Sequence, residues 1–298
     1  MFEAFTRETG IKVNVVHAKK GLIERLEQEG ANSPADLIVT ADIGRLTDAV
    51  QAGVTQAVTN ATLEANIPAQ YRDPEHHWFG LTSRARIIVA SKDRVAPGAI
   101  SSYEDLADPK WKGRVCTRSG KHAYMVALTA AMIAHHGEAK AHEWLRGLKA
   151  NLARRPQGND RAQVKAIMEG VCDVAVINHY YMGNMMNDKN QAAWAASVNI
   201  VFPNQQTYGT HMNVSGIALT KSAPNKDNAI KLMVFLSGDR AQQLYAEQNF
   251  EYPVKPGVPW SALLQSFGAY KADDLGLGEV AKHRKTASKL ADKVAFDT

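Results

Sequence analysis

Cysteine is scarce in this sequence: two among 298 residues, with no C-x-x-C pair. That spacing fits no metal or redox motif and gives structural zinc little support. Cys116 and Cys172 each lie in or beside a strand-like run, GRVCT and GVCDVAVI. The pattern leaves two readings open, a pair of buried free thiols or one disulfide, which would point to an oxidising compartment such as the periplasm. Long apolar runs are missing too. The longest, Ala123 to Ala134, contains Thr129 and is too short to span a bilayer. The opening MFEAFTRETG has no basic n-region and no apolar h-region, so no signal peptide is expected in this chain.

Catalytic signatures are also absent: there is no G-x-S-x-G, H-E-x-x-H, Walker A or G-x-G-x-x-G. Ser119-Gly120 ahead of Lys121-His122 reads as turn chemistry rather than a nucleophile beside its base, and no enzyme is expected. His76-His77 and His135-His136 are adjacent pairs without a third ligand in register, and read as surface residues; His179 and His211 lie nearer the expected binding cleft. No arginine-rich arm or aromatic-basic RNA motif accompanies the net charge of +5, so no nucleic-acid partner is expected. The surplus of positive charge suits a protein that holds anionic ligands.

What is present is an ordinary globular composition, 45% hydrophobic and 22% charged, in a chain long enough for two packed lobes. Helical and strand patterns alternate. FEAFTRET reads as a short helix stopped by Gly10, IKVNVVHA as a strand, GLIERLEQEG as a helix, ADLIVTAD as a buried strand and FGLTSRARIIVAS as a long one. Further on, a helix from about Lys121 to Ile133 precedes GEAKAHEWLRGLKANLA, whose Trp144, Leu145, Leu148 and Leu152 form an apolar stripe. NDRAQVKAIMEG, capped at Asn159, feeds the strand VCDVAVI.

This β-α-β order predicts an α/β fold: a two-lobed clamshell, each lobe a mixed, mostly parallel sheet flanked by helices. The first lobe is expected from residues 1–90 plus 207–265 and the second from 91–206. Residues 266–298, with alternating Lys and Asp over a weak helical period, read as a solvated helical tail. Ligands of such folds bind at the carboxyl ends of strands.

At one such end stands VINHYYMGNM, residues 176–185. Neighbouring side chains in a strand point to opposite faces, so Tyr180 and Tyr181 share a task only if the chain turns there. Tyr124 follows another strand end. Phenolate is a hard anionic donor suited to a hard, highly charged cation. With an ordinary pKa near 10, a phenol ionises at neutral pH only under a strongly polarising ion such as Fe³⁺. Mg²⁺ or Ca²⁺ prefers carboxylates and carbonyls.

Three stretches, SSYEDLADPKWKGRV, RRPQGNDRAQVKAIMEGVCDVAVINHYYMGNM and TYGTHMNVSGIALTKSAPN, resemble the ferric-iron-binding periplasmic proteins of ABC importers. The likeness is greatest to the branch typified by cyanobacteria. It covers nearly the whole chain, and the tyrosine-pair segment is its most specific part. The resemblance implies a type II periplasmic-binding clamshell that binds Fe³⁺ and delivers it to an inner-membrane permease. Tyr180 and Tyr181 would ligate iron, as would Tyr124 in TRSGKHAYMVAL. Arg84 or Arg86 would lend a charge behind them, and carbonate or a similar anion would complete the site. It also implies a disulfide between Cys116 and Cys172, a periplasmic location and a monomer.

Two departures stand out. Relatives begin with a further strand that brings ligands from the first lobe, and that strand is expected to be missing here. Asn184 stands where many relatives have Arg, which weakens the local charge compensation. The competing readings are a clamshell receptor for a small organic ion (polyamine, thiamine or phosphonate) and a truncated paralogue with impaired metal binding.

Overall fold

The structure is a computed structural model that describes residues 1–18 and 21–298. The chain forms two compact units, residues 1–83 with 214–261 and residues 84–213 with 262–298. The expected borders at 90 and 207 therefore move to positions inside two long strands, β3 (Phe79–Ser91) and β7 (Met212–Thr220). A continuous strand carries no turn residue to mark where one core ends, so the sequence pattern placed one border near the end of β3 and the other in the loop ahead of β7.

In the first unit, β1 (Leu37–Thr40) and β2 (Thr55–Gln56) both pair antiparallel with β7. Thr82 and Ser83 of β3 pair antiparallel with β8 (Tyr252–Pro253). The core gathers Phe5, Leu63, Ile67, Phe79, Leu81, Ile217, Leu219, Met233 and Leu236. Gly216 permits a close approach within it: a Cβ there would sit 2.7 Å from Leu46 Cδ1 and 2.8 Å from the Phe79 carbonyl oxygen. The expected strand over 11–18 is not one. It pairs with no strand among the described residues, and Val15 and Val16 are 45% and 67% exposed. Alternating apolar residues suit a half-buried strand, but a strand forms only where a neighbour offers backbone groups.

In the second unit, β3 lies between β5 (Val174–Asn178) and β6 (Val198–Val201), antiparallel to both. On the far side of β5 runs β4 (Val115–Cys116), parallel to it. The mixed sheets and flanking helices agree with the expected fold, but "mostly parallel" is corrected. Among the described pairings of named strands, β4–β5 is the parallel one and the others are antiparallel. Alternation along the chain predicts parallel pairing only when each strand pairs through a helical crossover with its successor. Here β5 inserts between β3 and β4, and only β4 and β5 are joined by such a crossover. Cys116 of β4 and Cys172 just ahead of β5 are joined in a disulfide, 56 residues apart. The chain-entropy model assigns such a loop about 4 kcal/mol of stabilisation.

The helix Ala123–His136 is buried at every residue from Met125 to Ile133, which explains the unbroken apolar run. Against it pack the helices Leu277–Lys282 and Arg284–Lys293. Residues 266–298 are therefore no solvated tail: Val280, Ala287, Leu290, Ala291 and Phe296 join the core of the second unit. Their Lys and Asp residues mask an apolar stripe at 287, 290 and 291, the i, i+3, i+4 spacing of one helix face. No helix among the described residues is long and apolar enough to cross a membrane.

Candidate metal centre

The β-branched run of β5 stops at Asn178, and a short helix, Tyr180–Met186, begins two residues later. His179 fixes the turn. Its backbone N–H donates to the Ala85 carbonyl at 3.0 Å, and its Nδ1 accepts from the Ala85 N–H at 3.0 Å. That ring is fully buried and tied to β3, so it serves the turn rather than a ligand set. His211, the other histidine near the expected cleft, is also buried. Desolvation, with Arg86 and His135 nearby, pushes it down to about 3. It stays neutral, its backbone bonded to Arg86 and to the Tyr103 hydroxyl.

Because residues 180 and 181 open a helix instead of continuing a strand, their side chains leave the same side of the chain. The two rings stack, centroids 4.3 Å apart at 29°. Tyr124 arrives from the start of the helix Ala123–His136, where His122 Nδ1 accepts from the Tyr124 N–H. The Tyr124 and Tyr180 hydroxyl oxygens stand 3.3 Å apart. Three half-buried phenols, two adjacent in sequence and the third 56 residues before them, thus converge.

Around them is a ring of guanidinium groups. Arg84 and Arg86 each place Cζ 5.7 Å from the Tyr124 ring centroid, Arg118 stands at 5.0 Å, and Arg161 lies 5.7 Å from the Tyr181 centroid. A buried carboxylate joins two of these cations. Asp160, fully buried, pairs with Arg86 at 2.9 Å and Arg118 at 3.0 Å, and accepts from the Asn178 N–H at 2.8 Å. Burying Asp160 is tolerable because both oxygens are bonded to charged or backbone donors.

Without a metal Tyr180 and Tyr181 hold their protons tightly. Burial pushes Tyr180 far above the ordinary tyrosine value, the neighbouring Tyr124 and Tyr181 add to this, and the Arg84 charge opposes it. Burial raises Tyr181 as well, against a hydrogen bond from Tyr180. A phenol here ionises only when a cation of high charge takes the proton's place. The donor set suits such a cation: hard oxygens that become anionic on binding, with surplus positive charge alongside to attract a further anion.

The structure thus brings together Tyr124, Tyr180, Tyr181, Arg84 and Arg86. Asn184 lies half-buried one turn further along the same short helix, and its side chain makes no hydrogen bond among the described residues. Three members escaped the sequence reading: Arg118, Asp160 and Arg161. Arg118 sits in TRSGKHAY with Tyr124, and Arg161 in the long stretch RRPQGNDRAQVKAIMEGVCDVAVINHYYMGNM that ends in the tyrosine pair, which was the available signal. Nothing local marks Asp160, whose part depends on β3 lying next to β5. No group of three or more His, Cys, Asp or Glu able to hold a metal occurs among the described residues.

Comparison with known proteins adds to this geometry. The family model for bacterial extracellular solute-binding proteins matches residues 32–270. "Iron uptake protein A1" of Synechocystis sp. is 43% identical over 99% of this chain and 83% of its own length. A Trichodesmium protein (IdiA, FutA), solved in complex with iron and citrate, is 43% identical over 99% of this chain and 94% of its own, with a TM-score of 0.96. Apo ferric ion-binding protein A of Pasteurella haemolytica is 51% identical over 99% and 93%, with a TM-score of 0.95.

Proposed function

The chain belongs to the bacterial extracellular solute-binding proteins, and from that premise we propose that it binds ferric iron in the periplasm for delivery to an ABC importer. The observation that carries this reading is the convergence of Tyr124, Tyr180 and Tyr181 amid four guanidiniums and one carboxylate. Each tyrosine acts as a phenolate ligand. Three phenolates balance the charge of Fe³⁺, while the arginines are left in excess over Asp160. That excess favours an additional anion on the metal, of the carbonate or citrate class, and the relative solved with iron and citrate supports it. The iron is cargo: it is held without net chemistry and released to a permease in the inner membrane, by a receptor that acts as a monomer. The disulfide accords with an oxidising compartment.

The binding step exchanges three phenolic protons for one trivalent cation. Its optical mark is a phenolate-to-iron charge-transfer band in the visible. Titration of the metal-free protein with ferric citrate should produce that band and saturate at one iron per chain. Tyr180→Phe combined with Tyr181→Phe should abolish it. A protein that stays colourless, or a band that survives the double substitution, overturns the proposal.

A further inference from the structure

Tyr124 and Arg118 lie at the two ends of one loop, residues 117–122, and the middle of that loop is held from far along the chain. The helix Arg284–Lys293 gives way at Val294, and Ala295 adopts a left-handed φ of 50°, which residues with a Cβ seldom do. The reversal sends the Phe296 ring into the core and turns Asp297 toward the loop. Asp297 Oδ2 accepts from the Ser119 hydroxyl at 2.6 Å, and Oδ1 accepts from the Gly120 N–H at 2.8 Å. Phe296 lies so close behind that a Cβ on Gly120 would be 2.6 Å from its Cδ1. Lys121 Nζ extends the same contact to Ser288 and Asp292. Arg155 Nε in turn donates to the Asp297 carbonyl at 2.5 Å.

We propose that Asp297, backed by Phe296, is a positioning residue for the metal centre. Its carboxylate fixes the Ser119-Gly120 turn and thereby sets the separation of Arg118 from Tyr124. Asp160 anchors the near end of the loop through Arg118, and His122 caps the helix at the far end. Ser119 and Gly120 between them have the backbone freedom typical of turns, and Asp297 removes it. A ligand held loosely binds its metal less well, because ordering it falls to the binding step. This role rests on the ferric reading given above.

The test uses the full chain with Asp297→Ala, Asp297→Asn, Ser119→Ala and the Ser119→Ala/Asp297→Ala pair. In the metal-free protein, amide exchange at residues 118–124 should quicken about tenfold in Asp297→Ala, the signature of local opening, while the thermal midpoint stays near wild type. Ferric affinity measured against citrate should fall about tenfold, at the lower end of what supporting partners of metal ligands contribute. The charge-transfer band should also shift. Asp297→Asn keeps an acceptor for the Gly120 N–H and should restore most of both signals. Ser119→Ala should move both in the same direction by less, and the pair should be no worse than Asp297→Ala alone. A wild type that colours normally, with Asp297→Ala unchanged in affinity, band and exchange, overturns the positioning role. A wild type that never colours, with exchange still faster in Asp297→Ala, overturns the ferric reading instead.

Discussion

The second unit holds two tyrosine clusters built on opposite electrostatics. At the candidate metal centre, Tyr124, Tyr180 and Tyr181 face guanidinium groups. In the other, Tyr208 stacks on His135 at 3.7 Å and donates to Glu104 Oε1 at 2.7 Å. Burial raises the phenol pKa in both places. The neighbouring charge differs in sign. Glu104, as hydrogen-bond acceptor and as charge, pushes Tyr208 up further, whereas the Arg84 charge pulls Tyr180 down. Tyr208 is thus set to keep its proton while donating a hydrogen bond to a carboxylate, and Tyr180 to surrender one when a cation arrives. The carboxylates around Tyr208 are already engaged: Glu104 with Tyr208, His136 and Asn204, and Asp273 with His135 and the Leu275 N–H. Phenol count alone does not mark a metal site; the charge that surrounds it does.

The strongest way to break this contrast is to remove the carboxylate that orders the arginines. Asp160→Ala leaves Arg86 buried without its partner and strips Arg118 of its anchor. Deleting one member of a buried charged group typically costs about 3–5 kcal/mol. Chemical denaturation should show a loss of that size, together with loss of the ferric band. Stability within about 0.5 kcal/mol of wild type, where ordinary surface substitutions fall, would show that Asp160 is dispensable and that the arginines order themselves.

A milder change addresses the proton directly. With the tyrosines as ligands, as proposed, ferric binding displaces phenolic protons, so falling pH favours the metal-free state. Arg84 lowers the proton affinity of Tyr180; without its charge, that phenol becomes harder to ionise. Arg84→Gln should therefore weaken ferric binding at neutral pH by about tenfold, equivalent to roughly one pKa unit. Monitored by the band during acid titration, the variant complex should come apart at a higher pH than the wild type. An unchanged midpoint would mean that Arg84 does not govern the phenol.

How much of this was legible depends on range. Tyr180 and Tyr181 stand side by side at the end of a β-branched run, and Tyr124 follows another strand end, so local pattern singled the phenols out, while their expected role as ligands came from the family resemblance. Arg84 and Arg86 were readable only as alternatives, yet both reach the Tyr124 ring, because the turn fixed by His179 brings the end of β5 against β3. Asp160 and Asp297 were not readable at all, since Asp160 pairs with Arg86 and Arg118, 74 and 42 residues away in sequence, and Asp297 with Ser119, 178 residues away. The fold divides the same way. Helices such as Glu138–Ala150 follow from their own apolar stripe, whereas the antiparallel partners of β3 are chosen by strands arriving much later. The unpaired segment 11–18 shows the converse, a local strand pattern without a described partner to realise it.

The smallest expected effect lies at the other tyrosine. Burial alone would raise Glu104, but hydrogen bonds from Asn204, Tyr208 and His136 outweigh it, and its carboxyl stays below the usual range. A carboxyl depressed in the folded state adds stability that is present above its unfolded value, about 4.3, and lost as pH falls through its folded value. Tyr208→Phe removes one of those bonds, so the Glu104 pKa should rise toward normal. At pH 7 the variant should be less stable by about 1 kcal/mol, the usual net worth of such a bond, and the gap should narrow below about pH 4. The ferric band should keep its position and intensity, because no carboxylate-bound phenol takes part in it. If Tyr208→Phe instead dimmed the band as Tyr180→Phe does, the sign of the surrounding charge would not separate the two clusters.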